Sequence, residues 1–195
     1  QFHFMPPGVH LCSSHRTFFG DISQKALEKA LLRASGPPVK STEDAVTIYD
    51  DKPFVELVDA YQYHPCFRAM TGPFQGKLLV RVSTRSPFLK KFLKAARDTD
   101  GFRAIPLDQF QKALLKSAAS PGRLRTLIDK TANTPSPESP YLDRLSGEQM
   151  GQLFTKVAHC WTRFEYLLGK VQQKPSFQNL HRQHIGSALV KVARS

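Results

Sequence analysis

The chain has 195 residues, enough for one ordinary hydrophobic core or a short array of stacked repeats. It carries 28 Lys and Arg against 16 Asp and Glu, and the formal net charge of +12 favours a polyanion or an acidic protein surface as partner. No apolar run approaches the roughly 18 residues that cross a bilayer, so no transmembrane segment is predicted. Cys12, Cys66 and Cys160 are spaced too widely for a disulfide framework or a zinc ribbon, which indicates a reducing compartment.

Residues 1–20 are predicted to form an N-terminal extension. They contain no acidic residue and are rich in histidine, serine and aromatic side chains. That composition is similar to the remnant of an organellar transit peptide, which predicts a mitochondrial matrix location; an arbitrary starting point of the sequence explains it equally well. His10, Cys12 and His15 are metal-ligand types at close spacing, but no second cluster completes a tetrahedral site. We therefore predict no metal and no other cofactor.

Residues 21–72 are predicted to form an irregular helical segment. Apolar residues recur at helical spacing through Asp21–Ser35, and the sequence Gly-Pro-Pro follows directly. Pro53 is suited to open a second helix that continues to Tyr61. Between them, Ala45–Tyr49 is short enough to be a strand, so a small β element is one reading of this segment.

A short phrase recurs further along the chain: apolar residues, one basic residue, then a small residue one or two positions later. Its basic residues lie 35, 40 and 35 positions apart, a period typical of stacked helical hairpins. The copies are Leu78-Leu79-Val80-Arg81-Val82-Ser83, Leu114-Leu115-Lys116-Ser117-Ala118, Leu153-Phe154-Thr155-Lys156-Val157-Ala158 and Leu189-Val190-Lys191-Val192-Ala193, with an earlier echo in Leu31-Leu32-Arg33-Ala34-Ser35.

Each unit is predicted to hold a first helix with the phrase, a turn and a second helix. The dipeptides Phe74-Gln75 and Phe110-Gln111 stand 36 positions apart and supply a register for the alignment. A proline-rich linker, Thr134–Pro140, accounts for the longest interval. The valines of the first copy leave a strand over Leu78–Ser83 as an alternative. The predicted second helices are Phe88–Arg97, Leu124–Ala132 and Arg163–Gln173.

The sequence therefore predicts a mostly α fold, in which a short α-solenoid of helical-hairpin repeats follows the irregular segment. The units are 73–106, 107–144, 145–179 and an incomplete 180–195. Because the last unit has a first helix only, its apolar face, with Ile185, Leu189 and Val192, is expected to be packed by a partner.

Two segments, Leu145–Ala158 and Leu180–Ala193, align with each other without a gap. They resemble the first helices of the octotricopeptide and heptatricopeptide classes of organellar repeat proteins. That resemblance implies an organellar RNA-associated α-solenoid, since many members of these classes bind RNA or are built into organellar ribosomes.

The repeated bases are the candidate site. At about 100° per residue, Lys116 lies on the side of its helix opposite Leu114, and Lys112 adds to the same outer face. Stacked units would set such bases in one row, suited to the repeating phosphates of a nucleic acid; a solvated face without a ligand is the alternative. The predicted RNA-binding residues are Arg33, Arg81, Lys112, Lys116, Lys156 and Lys191.

No nucleophile elbow, phosphate-binding glycine loop or dinucleotide motif is present, so no catalytic residue and no enzyme is predicted. Trp161, Phe164 and Tyr166 could stack bases, but their helical spacing favours a place in the core. The predicted function is an RNA-associated structural component of the mitochondrial ribosome, in contact with ribosomal RNA phosphates and neighbouring proteins. The alternative is an accessory scaffold subunit of a mitochondrial respiratory or ATP synthase complex, whose basic surface would meet acidic protein or cardiolipin headgroups.

Overall fold

The computed structural model of the chain describes residues 22–36, 52–132, 141–180 and 182–194. Within these ranges there are thirteen helices and no strand, so the described part of the chain is all-α. The strand alternative for Leu78–Ser83 is wrong, because Gly72–Val82 is an α-helix. The predicted strand Ala45–Tyr49 and the linker Thr134–Pro140 lie outside the described residues.

Three kinds of helix alternate along the chain, which we call first, second and short helices. The first helices are α1 (Gln24–Ala34), α4 (Gly72–Val82), α7 (Leu107–Ser117), α10 (Gly147–Val157) and α13 (Arg182–Ala193). The second helices are α2 (Lys52–Tyr61), α5 (Ser86–Ala96), α8 (Pro121–Ala132) and α11 (Trp161–Val171). The short helices are α3 (Pro65–Arg68), α6 (Asp100–Arg103), α9 (Tyr141–Arg144) and α12 (Pro175–Gln178). The segment predicted to be irregular thus holds α1, α2 and α3 in the same order as the later units.

Local sequence explains where these helices begin. In α10, the Ser146 hydroxyl accepts from the Gln149 amide and the Gln149 side chain accepts from the Ser146 amide, a complete capping box. Pro87 and Pro121 lie in the first two positions of α5 and α8, where a missing N–H costs nothing. All three predicted second helices are confirmed, and each begins two or three residues before its predicted start.

Four of the first helices contribute one face to the core, together with buried residues of the second and short helices. The fourth and eighth residues of α1, α4, α7 and α10 are all buried, and most are apolar: Leu27 and Leu31, Gln75 and Leu79, Phe110 and Leu114, Met150 and Phe154. Each of these helices packs against its own second helix and against the next first helix, and neighbouring second helices also pack together. One continuous cluster of buried apolar residues therefore runs through all units.

The dipeptide register taken from the sequence is wrong by one residue. Counted from the helix starts, Phe110 corresponds to Gln75, and Phe74 is only half-buried. Gln75 is tolerated in the core because its amide nitrogen donates to the Thr99 hydroxyl at 2.9 Å and to the Met70 carbonyl at 3.3 Å.

Glycines set how closely successive first helices approach. A Cβ at Gly72 would lie 2.0 Å from the carbonyl oxygen of Ala104, and a Cβ at Gly147 would lie 1.9 Å from that of Asn179. Both glycines open a first helix, α4 or α10, and both touch the backbone just before the next one. The absence of a side chain there is thus a packing requirement of the repeat.

At three junctions an arginine links a unit to the one before. The guanidinium of Arg85 donates to the carbonyl of Gly36 at 3.2 Å, that of Arg123 donates to the carbonyl of Thr84, and that of Arg163 donates to the carbonyl of Ala118 at 2.8 Å. The accepting carbonyls lie in the turns directly after α1, α4 and α7. We call these three contacts the arginine clamps.

Substitution of glycine by alanine at two positions should distinguish the effect of a steric clash on stability from the effect of helix propensity. Gly72→Ala should lower the free energy of unfolding by about 1–3 kcal/mol, because the new methyl group meets a backbone carbonyl that cannot rotate away. Gly169→Ala is the matched control: a Cβ there meets nothing within 4 Å, so the free energy should rise by about 0.5–1 kcal/mol. Urea denaturation measures both, and equal effects of the two substitutions would contradict the close approach.

Candidate polyanion-binding edge

The hairpin topology brings two sets of residues to one edge of the array. Residues 83–85, 118–120 and 158–160 connect a first helix to its second helix in three residues each, so the two helices run antiparallel. The last turns of the first helices therefore lie beside the first turns of the second helices. We call this the turn edge; the opposite edge carries the starts of the first helices and the ends of the second helices.

The predicted bases lie at the turn edge, with one exception. Each is exposed and is the tenth residue of its first helix: Arg33, Arg81, Lys116, Lys156 and Lys191. The exception is Lys112, which is exposed on α7 one turn before Lys116 and forms an ion pair with Asp108 at 3.3 Å. Arg81 also has a structural contact, since its Nη1 donates to the Leu32 carbonyl at 2.8 Å.

The two edges differ in their acids and not in their bases, since Lys94, Lys130 and Lys170 lie in the last turns of second helices at the opposite edge. A base in the last turn of a helix is favoured by the helix dipole, so the five bases by themselves need no ligand. The same dipole favours an acid in the first turn, and α7 and α10 have one there, Asp108 and Glu148, at the opposite edge. At the turn edge, the first turns of the described second helices have none. The first turns at the turn edge thus lack the carboxylates that would stabilise their helices. Because no such acid offsets the bases of the first helices, this edge is basic.

Two of the predicted bases meet in a groove of about 830 Å³ between α1 and α4. Arg33 and Arg81 line it together with Lys25 and Lys29, and Glu28 is the one carboxylate in the lining. Lys25, Lys29 and Arg33 follow one another at four-residue spacing, so they share a face of α1 and lie about 6 Å apart along its axis. Among the described residues none of these three forms an ion pair, which leaves their charges available to an anion.

A second site lies between α8 and α11. Asp129 accepts a hydrogen bond from the Tyr166 hydroxyl at 2.7 Å and pairs with Lys170 at 3.3 Å and with Arg125 at 3.7 Å. Partial burial acts to raise the pKa of the Asp129 carboxyl, but the hydrogen bonds and the two charges together hold it below its usual range. Burial and the neighbouring carboxylate raise the pKa of the Tyr166 hydroxyl.

The expectation that all three aromatic residues of α11 are core is wrong for Trp161. Its side chain is 56% exposed, although its ring stacks on that of Phe164 at 6.1 Å. Phe164 is buried in the core as expected, whereas Tyr166 is half-buried and packs against the core from outside. Trp161 is the first residue of α11, and this places it at the turn edge.

Several bases of the groove and of the turn edge escaped the sequence analysis because they lie outside the repeated phrase. Lys25 and Lys29 could have been found from their four-residue spacing before Arg33. The clamp residues Arg85, Arg123 and Arg163 carry no such signal, because Arg85 ends a turn while the other two are the third residues of α8 and α11.

No helix within the described ranges is both long enough and apolar enough to cross a membrane. In the same ranges, no group of three or more His, Cys, Asp or Glu side chains is placed to hold a metal ion, and His10, Cys12 and His15 lie outside them. Comparison of the chain with family models, curated proteins and solved structures finds no match.

Replacement of Tyr166 by Phe should expose the role of the Asp129 cluster. Loss of the hydroxyl donor should cost about 1 kcal/mol at pH 7. The folded-state pKa of Tyr166 lies above its ordinary value of 10.0, so the stabilisation is complete below pH 10 and is lost as the pH rises further. Thermal unfolding of wild type and Tyr166→Phe between pH 7 and pH 11 should therefore show curves that converge at alkaline pH. A constant difference across this range would show that the hydroxyl does not titrate as described.

Proposed function

We propose that this chain is an RNA-associated structural protein and a component of the mitochondrial ribosome, acting in the mitochondrial matrix. Its role is binding, not catalysis: exposed bases neutralise phosphates of ribosomal RNA while apolar surfaces pack against neighbouring proteins. The helical hairpins stack into a short α-solenoid, which presents the bases at regular intervals to a ligand that itself repeats.

The single observation that carries this proposal is the regular recurrence of a base at an edge whose described second helices have no acid in their first turns. Bases recur at the tenth residue of five first helices, and acids are left out of the adjacent first turns, where they would stabilise the helices. A surface selected only for solubility would mix both signs. A row of one sign is what a phosphate backbone requires.

The proposed protein contacts concern α13. Its fourth and eighth residues, Ile185 and Leu189, are 38% and 54% exposed, whereas the corresponding residues of the four earlier first helices are buried. In those units the first helix packs against a second helix of the same unit. An apolar surface of a neighbouring protein that covers this face of α13 would complete the pattern.

The alternative, a scaffold subunit of a respiratory or ATP synthase complex, uses the same basic edge toward acidic protein or cardiolipin headgroups. The two functions differ in their ligand, so one binding experiment separates them. Retention of acidic protein partners without any affinity for RNA would replace the ribosomal proposal by this one.

The salt dependence of RNA binding tests the row of bases. If four or five phosphates are neutralised, the logarithm of the affinity for single-stranded RNA should fall against log salt with a slope of roughly −3 to −4, at about −0.7 for each phosphate. Lys116→Ala should reduce that slope by about 0.7 and weaken all sequences alike.

Lys94→Ala is the matched control for this measurement. Lys94 is also an exposed lysine in the last turn of its helix, but α5 is a second helix and this residue lies at the opposite edge. Its replacement should leave the slope unchanged. Fluorescence anisotropy at salt concentrations from about 50 to about 200 mM measures the two slopes. Equal effects of the two substitutions would contradict the proposal that RNA binds at the turn edge.

The exposed face of α13 makes a separate prediction. Leu189→Ala should change the free energy of unfolding of the isolated chain by less than about 0.5 kcal/mol, because the side chain is 54% exposed. Leu114→Ala, at the corresponding position of α7, should cost about 2–5 kcal/mol. Chemical denaturation of both variants is sufficient. A cost at Leu189 as large as that at Leu114 would mean that this face is already covered within the chain.

A further inference from the structure

A small cavity of about 210 Å³ lies between α8 and α11 at the turn edge. Its lining comes from the first turns of both second helices: Pro121, Gly122, Leu124 and Arg125 from α8, and Thr162, Arg163 and Tyr166 from α11. The volume is below the roughly 300–1,000 Å³ of sites that hold drug-sized ligands and well above the roughly 30 Å³ share of one water molecule. The space fits a single polyatomic ion or one functional group of a larger ligand.

The charges around this cavity do not cancel. Asp129 is the one carboxylate in the cluster; it is paired with Lys170 at 3.3 Å and accepts a hydrogen bond from the Tyr166 hydroxyl at 2.7 Å. Arg125 touches it only through Nε at 3.7 Å. The positive charges of Arg125 and Arg163 are therefore left without an equal number of carboxylates among the described residues.

Hydrogen-bond donors remain available on both sides of the cavity. The ion pair of Arg125 uses its Nε, so its two terminal nitrogens are not used by Asp129, and 71% of the side chain is exposed. Arg163 commits Nη1 to the Ala118 carbonyl and to His159, while its Nε is buried without a hydrogen-bond partner in the described structure. The amide of Gly122, second in α8, has no acceptor within its helix.

We propose that this cavity binds a phosphate group, held between Arg125 and Arg163, with the amide of Gly122 in the cavity wall as a further donor. A phosphate has enough acceptor oxygens to reach donors on both helices at once, whereas a carboxylate has two oxygens, which one guanidinium fork already satisfies. Positive helix ends and arginine forks are the donors that phosphate groups use in proteins. The inference rests on the proposed function for one point only, the source of the phosphate, which is the RNA backbone if that function holds.

Two substitutions test the cavity with little risk to folding. Arg125→Gln removes one charged fork from an exposed side chain. Gly122→Asp sets a carboxylate at the cavity wall; a Cβ at Gly122 meets nothing within 4 Å, and an acid in the first turn stabilises a helix. Gly122→Asp should thus keep or raise the melting temperature while it repels phosphate. Arg68→Gln, at an exposed arginine on α3 away from the cavity, is the charge-matched control.

The experiment is a titration of the full 195-residue chain with inorganic phosphate at constant ionic strength, followed by amide chemical shifts, with acetate as the control anion. Wild type and Arg68→Gln should show saturable shifts around Gly122 and Thr162 with phosphate and not with acetate. Arg125→Gln should raise the dissociation constant about tenfold, the loss expected for a charge-assisted hydrogen bond, and Gly122→Asp should abolish the shifts.

A second arm repeats the titration with single-stranded RNA and identifies the source. Shifts at the cavity with both ligands, sensitive to both cavity variants, support the site and a phosphodiester occupant; shifts with inorganic phosphate alone support the site with a free phosphate and count against the proposed function. RNA binding that neither Arg125→Gln nor Gly122→Asp alters would overturn the cavity inference and leave the proposed function standing. Equal phosphate titrations in wild type and both cavity variants, or equal responses to acetate and phosphate, would overturn it as well.

Discussion

The bond between a guanidinium of one unit and a carbonyl in the turn after the preceding first helix is the interaction on which the arrangement depends. Arg85, Arg123 and Arg163 make it at three successive junctions. Each bond gives a turn carbonyl a charged donor and links one hairpin to the one before. It also places charge, because each of the three clamps brings a cation to the turn edge. Packing and electrostatics therefore share the same residues.

The two layers of helices are tied together at different junctions. Among the first helices, glycines allow close contact between α4 and α7 and between α10 and α13, while α7 and α10 meet through Gln111 with Gln152 and Gln149 at 2.8 and 3.1 Å. Among the second helices, ion pairs join α2 to α5 and α8 to α11. Where two first helices lack a glycine contact, the second helices of the same units are thus joined by an ion pair. Contacts in both layers thus hold together the units that carry the turn edge.

The sequence alone predicts the period of the repeat and the outward direction of its bases. It does not predict the register of the units or the contacts between them. The burial of Leu114 and the exposure of Lys116 both follow from helical geometry alone. The pairing of Phe74 with Phe110 failed because a buried position can hold glutamine when a threonine satisfies it, as Gln75 and Thr99 do. The four-residue short helices have too little periodicity to be recognised. Trp161 has helical spacing from core residues, yet it lies in the first turn, where the hairpin opens to solvent.

The central claim is that the turn edge, and not the surface as a whole, contacts phosphates. Ultraviolet crosslinking of the full chain to a single-stranded RNA, with the crosslinked peptides identified by mass spectrometry, tests it directly. We predict that the crosslinks are concentrated in the last turns of the first helices and the first turns of the second helices, and that exposed Trp161 is one of the crosslinked residues. Crosslinks concentrated at the opposite edge, around Lys94 and Glu148, or spread evenly over both edges, would contradict it.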